Sequence, residues 1–441
     1  MQSEYIKTVK FGGSSLADAE HFVKVANIIK SDSTRRYVVP SAPGKRFSGD
    51  FKVTDKLYEL HMKFTQNADW EDTLEIIKNR YSEIISELGT DTDLSNEFDI
   101  IVENLKGGAD MQYAASRGEY LNGIVLSDYL GFDFVDPANY IRFSDNGIFQ
   151  PEVTNELLSK ELEKHYTAVV PGFYGATKDG VVRTFPRGGS DITGSIVARA
   201  TSTDIYENWT DVSGFLVADP RIVKNPEVID IVTYHELREL SYMGANVLHE
   251  DSIFPVRASG IPINIRNTNK PEDKGTMIIS HTHGNRSSNI ITGISGKGGF
   301  SVITIEKDMM NYEVGFLRKV LSIFEEYGIS VEHMPSGMDS AGIIINTASI
   351  EPVKEQVIDE ICRTVNPDSI QYDDKLALVA VVGKGMVNVP GTASRIFRAI
   401  AANGINVRMI DQGSSEYNII ISVNERDLGK TISAIYDEFF R

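Results

Sequence analysis

The chain has 441 residues, with 44 Lys and Arg against 62 Asp and Glu, a net charge of −18. Such a surface repels a nucleic-acid backbone and argues against DNA or RNA binding, but it leaves room for a local positive site that holds a nucleotide. A single cysteine, Cys362, rules out an intrachain disulfide and fits a cytoplasmic setting, and no run of about 20 apolar residues could span a membrane.

Lys7 and Lys10 interrupt the only apolar run near the start, so no signal-peptide core is expected. Tyr5 to Val9 is rich in strand formers. Phe22, Val25, Ala26, Ile28 and Ile29 recur at helical spacing after it. Lys10-Phe11-Gly12-Gly13-Ser14-Ser15 makes the turn between them. Free amides at such a turn, a helix dipole and a lysine together suit a phosphate, although glycines also serve strand-to-helix turns for steric reasons alone. The order differs from a P-loop, in which the lysine follows the glycines.

Further along, Tyr37-Val38-Val39 reads as a strand, and Leu74, Ile77, Tyr81, Ile84, Ile85 and Leu88 mark a helix. A helical pattern from about Asp110 stops at Gly131. It contains Arg117-Gly118-Glu119, where Glu119 could bind an ammonium or sit on a solvated face. Strands follow at 132–135 and 167–170, and Asp191 to Ala200 suits a helix. Arg187-Gly188-Gly189-Ser190-Asp191 opens that helix, a second Gly-Gly turn with a cation on its strand side. Trp209-Thr210-Asp211 ends a strand, Asp219-Pro220-Arg221 is a loop, and 261–265 is a strand. This alternation predicts an α/β domain, a mostly parallel sheet sandwiched by helices.

Residues 281–299 are turn-rich and read as a domain junction, with His281 and His283 in a solvated loop rather than a metal site. Beyond them the chain repeats at a constant offset: 386 − 310 = 76 and 421 − 345 = 76. Gly315 answers Gly391, Gly328 answers Gly404, and Ile343 to Ile345 answers Ile419 to Ile421. Each copy reads strand, helix, strand, strand, a ferredoxin-like α+β module. The module is either structural or a sensor that holds a small molecule at its glycine turn. Cys362 falls in an apolar-patterned stretch and is expected to be buried.

As a set, the Lys-Phe-Gly-Gly-Ser-Ser, Arg-Gly-Glu, Arg-Gly-Gly-Ser-Asp, Thr-Asp-Val and Asp-Pro-Arg motifs and the duplicated C-terminus resemble the aspartate kinases of the amino-acid kinase family, with their tandem ACT modules. The resemblance implies a catalytic domain over 1–290, one ACT-like module over 300–375 and another over 376–441, with strands open to exchange between the two. It implies ATP-dependent phosphorylation of the side-chain carboxylate of L-aspartate to 4-phospho-L-aspartate, Mg²⁺ held mainly through ATP, and a cytoplasmic homodimer or homotetramer joined through its ACT modules. Lys10 and Asp191 would be catalytic. Ser41, Thr54, Glu119, Phe173, Thr184, Arg187 and Ser190 would bind aspartate. Lys10, Gly12, Gly13, Ser14, Ser15, Thr210, Asp211, Leu216, Asp219, Arg221, Asn246 and Val247 would hold the nucleotide. Met310, Gly315, Leu317, Ser330, Val331 and Glu332 would line an effector pocket, and Glu332 favours lysine over threonine as the feedback inhibitor. The alternatives are a kinase for another amino acid and a non-catalytic amino-acid sensor on a kinase scaffold.

Overall fold

The computed structural model describes residues 5–186, 188–244, 254–280 and 289–441. The chain divides into two compact units. One comprises Met1–Phe215, Asp230–Tyr234 and Val247–His283, and the other Leu216–Ile229, His235–Asn246 and Gly284–Arg441.

Through the first 280 residues the elements are β1 (Lys7–Phe11), α1 (Ala19–Lys30), β2 (Arg35–Pro40), α2 (Val53–Thr65), α3 (Glu71–Leu88), α4 (Ser95–Lys106) and α5 (Met111–Leu130). Next come β3 (Asp133–Phe134), α6 (Pro151–Leu162), β4 (Ala168–Val169), β5 (Tyr174–Ala176), β6 (Val182–Thr184), α7 (Gly189–Ala200) and β7 (Ile205–Thr210). The series ends with β8 (Ile231–Thr233), α8 (Tyr234–Tyr242), α9 (Phe254–Ser259), β9 (Ile263–Asn267) and β10 (Thr276–Ile279). Eight strands form one sheet in the order β3-β4-β2-β1-β7-β9-β10-β8. All neighbours are parallel except β9 and β10.

Both faces of the sheet are covered, which is why β2 reads as a continuous apolar run. Val38 joins a core with Phe22, Leu57, Ile77, Tyr81 and Leu121 on one face, and Tyr37 and Val39 join Leu158, Ile192 and Ile196 on the other. This is the expected mostly parallel α/β architecture. Helix α5 starts where Asp110 caps it by accepting from the Tyr113 amide, and ends at Gly131 with φ 71°.

One expectation is corrected at the first turn. The glycine turn does not lead straight into an α-helix. Gly13–Leu16 forms a single 3₁₀ turn, and α1 begins only at Ala19. Its amino end is already occupied by the Asp18 carboxylate, which accepts from the His21 amide at 3.0 Å. The amides of the 3₁₀ turn, and not the α1 dipole, are what the turn offers an anion.

The second unit holds β11 (Gly293–Glu306), α10 (Phe316–Glu326), β12 (Val331–His333), β13 (Ser340–Asn346), α11 (Thr347–Ile350), α12 (Lys354–Val365), β14 (Ser369–Val382), α13 (Thr392–Ala402), β15 (Val407–Asp411), β16 (Asn418–Asn424) and α14 (Leu428–Phe440). The repeat is visible in these bounds: 293 + 76 = 369, 316 + 76 = 392 and 331 + 76 = 407. Gly315 and Gly391 open α10 and α13 at φ 82° and 90°, a conformation that a side chain would strain.

All six strands form one antiparallel sheet, β12-β13-β11-β14-β16-β15. Its two long central strands cross the boundary between the copies. Gly293 to Lys297 pairs with Leu378 to Val382, and Phe300 to Glu306 pairs with Ser369 to Leu376. The ladder shifts register around Lys297 and Phe300. His333 on β12 and Asp411 on β15 lie 2.7 Å apart, so the two edges of the sheet meet.

Residues 293–299, read as part of a junction, are therefore strand. Glycines there admit a neighbour instead of making a turn: a Cβ on Gly296 would lie 2.7 Å from Leu428, and one on Gly298 would lie 2.3 Å from Glu425. His281 and His283 lie outside the described residues. Cys362 is exposed on α12, not buried, because Val357, Ile361 and Val365 form that helix's buried face. Among the described residues no helix is long and apolar enough to cross a membrane.

Candidate functional site

A cavity of about 350 Å³ opens at the carboxyl ends of the parallel strands, where sheets of this type gather their ligands. Lys10 stands near the end of β1, paired in register with Asn208 of β7. Ser41 follows the end of β2, and its amide donates to the Phe11 carbonyl at 3.0 Å. Phe173 follows β4, and Ser190 and Asp191 lie in the first turn of α7. Lys10, Ser41, Thr54, Glu119, Phe173, Ser190 and Asp191 all line this cavity.

At its floor the Lys10 Nζ lies 2.6 Å from Asp191 Oδ1, and Lys10 is 7 % exposed. Asn208 Nδ2 donates to the same oxygen at 3.0 Å. One carboxylate oxygen thus takes an ammonium and an amide, and its twin, Oδ2, has no partner among the described residues. Asn208 was not singled out from the sequence. Only the β1–β7 register places it beside Lys10.

Turn and loop are locked together beside this pair. A Cβ on Gly13 would lie 2.7 Å from the Ala42 carbonyl oxygen, and the Gly44 amide donates to the Gly13 carbonyl at 2.8 Å. Gly12 donates to the Trp209 carbonyl at 3.2 Å. Ser14 is exposed. Ser15 is buried and shares a 2.8 Å hydrogen bond with the Thr268 hydroxyl, turned into the protein.

Glu119 is only 6 % exposed, so the solvated-face reading does not hold. Burial pushes its carboxyl up to about 8, against the Ala42 amide and the charges of Arg117 and Lys10, which pull it down. Its Oε2 is buried without a hydrogen-bond partner among the described residues. A lone buried acceptor of this kind is costly unless a donor arrives. Arg117 does not satisfy it. That guanidinium packs over Tyr113, Tyr120 and Tyr174 at 4.6, 4.6 and 5.1 Å and donates to Ser116. Gly118 keeps α5 close to its neighbours, since a Cβ there would lie 2.8 Å from Ala42 and 3.3 Å from Leu57.

Phe173 has φ 81°, rare for a bulky residue. Its amide donates to Thr193 Oγ1 at 2.9 Å, and its carbonyl accepts from Phe185 at 2.8 Å, which hold the backbone in place. Thr184 is not part of the cavity wall; its amide donates to Gln112 at 2.9 Å. Arg187, Asn246 and Val247 lie outside the described residues. Thr210 ends β7, and its hydroxyl donates to Asp211 at 3.1 Å. Leu216, Asp219 and Arg221 belong to the second unit, where Arg221 pairs with Asp219 at 2.5 Å.

The loop before Thr54 carries a feature the sequence did not announce. Asp50 accepts from Arg80 at 2.8 and 2.9 Å and from Arg46 at 2.9 Å. Arg80 also donates to the carbonyls of Ala17 and Gly44.

In the second unit, Met310 is buried, Gly315 opens α10, and Leu317 and Val331 pack against the core of the first copy. Ser330 is exposed. Glu332 on β12 accepts from the Tyr242 hydroxyl, and burial raises its carboxyl above the usual range. Arg408, its counterpart at 332 + 76, donates to Asp373 at 2.8 Å.

Comparison with known proteins gives this arrangement its family. Residues 6–267 match the amino acid kinase family, and residues 379–439 match an ACT domain. The chain is 37% identical to Aspartokinase 3 of Bacillus subtilis, over 99% of both chains. It is 30% identical to the chloroplastic Aspartokinase 1 of Arabidopsis thaliana, over 98% of this chain and 80% of that one. The crystal structure of Clostridium acetobutylicum aspartate kinase superposes with a TM-score of 0.90 at 50% identity, covering 99% of this chain and all of the other. E. coli aspartokinase III in complex with lysine and aspartate shares the fold at a TM-score of 0.72 and 24% identity. A parallel sheet that ends in a lysine–aspartate pair, with ACT-type modules after it, is thus the framework of an enzyme, and the chain belongs to the aspartokinases, the aspartate kinases of the amino acid kinase family.

Proposed function

We propose that the chain transfers the γ-phosphoryl group of ATP to the side-chain carboxylate of L-aspartate, giving 4-phospho-L-aspartate, with this cavity as the site of transfer. The observation that carries the reading is the meeting of the Lys10–Asp191 pair and the unpartnered Glu119 oxygen in one cavity. The nucleophile is already ionised at neutral pH, since an aspartate side chain titrates at about 3.9, so no general base is required. The obstacle is repulsion between two anions, and charge neutralisation and positioning overcome it. Lys10 and the amide of Gly13 neutralise the transferring group, the Gly12 amide being held by the Trp209 carbonyl. Asp191, fixed by Asn208, orients Lys10. Thr210 and Asp211 contribute to the nucleotide site. Mg²⁺ brought in with ATP would supply further charge neutralisation. The Oδ2 of Asp191, without a partner among the described residues, would suit a metal carried mainly by the nucleotide.

The α-ammonium of aspartate is the donor that Glu119 lacks, and Arg187 is assigned its α-carboxylate. Ser41, Thr54, Phe173 and Ser190 shape the pocket, and Thr184 supports it from outside the wall. A charge-assisted bond contributes about 1.5–3 kcal/mol, so Glu119→Gln should raise KM for aspartate by roughly 10- to 150-fold. Ionisation of Glu119 also sets a pH dependence. In the free enzyme, kcat/KM for aspartate should rise with pH through an apparent pKa near 8, and Glu119→Gln should flatten that limb. The same shift acts on stability. The folded carboxyl holds a proton between its ordinary 4.5 and about 8, so this group's contribution falls as pH rises through that window. Aspartate-dependent release of ADP, measured over pH 6–9, is the test, and ADP release that ignores aspartate refutes the assignment.

Lysine is the effector we favour at the first ACT copy. Glu332 presents a partly buried carboxylate, whereas Arg408 in the second copy is engaged with Asp373. Millimolar lysine should inhibit turnover and threonine should not, and Glu332→Gln should weaken lysine binding by about tenfold or more in calorimetry. A chain inhibited by threonine alone contradicts this assignment.

A further inference from the structure

Lys10 spends its charge on Asp191, 2.6 Å away. Asp55 adds further acidity to the cavity wall. The described part of the site therefore needs another cation if two anionic substrates are to meet there. Lys52 lines the same cavity, is exposed, and takes part in no ion pair or side-chain hydrogen bond among the described residues.

It is not on a loose loop. Two residues earlier, Asp50 is gripped by Arg80 and Arg46. One residue later, Val53 is fully buried and donates its amide to the Pro43 carbonyl at 3.2 Å. The backbone of Lys52 is thus fixed at the amino end of α2 between two anchors, and its flexible side chain carries the charge into the cleft.

We propose that Lys52 is a second catalytic cation that contacts the phosphoryl group in flight, a reading that rests on the aspartate kinase chemistry above. In that step the bond from the γ-phosphorus to the bridging oxygen breaks, and its electron pair leaves with ADP. A bond forms from the same phosphorus to a carboxylate oxygen of aspartate, and no proton moves. Charge gathers on the three equatorial oxygens of the transferring group. An ammonium with no other partner can be given wholly to that charge, whereas Lys10 shares its own with Asp191.

The test uses the full chain with Lys52→Met and Lys52→Arg. Wild type must first show aspartate-dependent ADP release, and its absence overturns both this assignment and the function on which it rests. With that release in place, Lys52→Met should lower kcat by about 10²-fold, with KM for aspartate and for MgATP each within about threefold. Lys52→Arg should restore much of the loss, and the thermal midpoint and calorimetric MgADP affinity of both variants should match wild type. A folded Lys52→Met enzyme with kcat within about threefold of wild type overturns the proposal and leaves the aspartate kinase reading intact. So does a variant that raises KM for aspartate with kcat unchanged, because that pattern belongs to ground-state binding.

Discussion

Replacing Lys10 with methionine should lower kcat by about 10²–10³-fold or more, the largest single effect expected in the catalytic site. Lys10 has two duties that the geometry ties together. Its ammonium is the cation beside the Gly12–Gly13 turn, and its Nζ also holds Asp191 Oδ1 at 2.6 Å. Without it, Asp191 keeps only the Asn208 amide and stands as an uncompensated charge facing two incoming anions. Asp191→Asn should separate the duties, since it removes the repulsion but leaves the ammonium without its orienting partner. If the two residues act as a unit, the double variant Lys10→Met/Asp191→Asn will lose far less than the product of the single losses. Steady-state kinetics on the four proteins measures this coupling. A Lys10→Met enzyme that keeps kcat within about tenfold of wild type would falsify the proposed role of the pair.

How far the sequence could reach is clearest on β1 and β7. The apolar run before Lys10 and the glycines after it were legible because strands and tight turns leave local signatures. Glu119 and Asp191 were reached only through the resemblance of their short motifs to the aspartate kinases, because the local pattern reads equally as a surface glutamate and a helix cap. Asn208 could not, since nothing in Glu207-Asn208-Trp209 marks a partner for Lys10 until the β1–β7 register is known. Arg80 was hidden in the same way. It lies mid-helix in α3, and its partner Asp50 is 30 residues away, before α2. Lys52 carries no signal of its own, because its meaning depends on where Asp50 is tethered. The start of α1 was misplaced because Gly13–Leu16 and Ala19–Lys30 are both helical, and the break between them depends on the Asp18 cap.

The C-terminal duplication was legible for a different reason. A constant offset of 76 survives any error in element boundaries, so the copies could be aligned before either was assigned. What local pattern hid was the length of β11. Gly296 to Gly299 carries the composition of a turn, yet the main chain pairs with β14 as far back as Gly293. Gly296 answers to α14 packing over it, and Gly298 to Glu425 just before that helix, tertiary demands that single-strand periodicity does not express.

Arg80→Met should destabilise the catalytic unit by about 3–5 kcal/mol, the usual cost of removing one partner from a buried ion pair. The side chains of Arg80 and Asp50 are 1 % and 3 % exposed, so water cannot replace the lost partner. Burial alone would raise the Asp50 carboxyl. The bonds from Arg46 and two main-chain amides, with the charge of Arg80, outweigh burial and hold it well below the usual carboxylate range. The sign follows from that depression: the stabilisation is present above the ordinary value of 3.8 and is lost as pH falls through the lowered one. At neutral pH the full cost of Arg80→Met should therefore appear in a denaturant titration, and in strong acid the gap to wild type should narrow. Asp50→Leu together with Arg80→Met removes both charges and should recover much of the stability. Activity should not recover with it. Arg80 also holds the Ala17 and Gly44 carbonyls, at 3.3 and 3.2 Å, and through them ties the Gly12–Gly13 turn to the loop that carries Lys52 and Thr54. A double variant that regains stability but not kcat places Arg80 in the positioning of the site. A single variant within about 1 kcal/mol of wild type removes the clamp from the account.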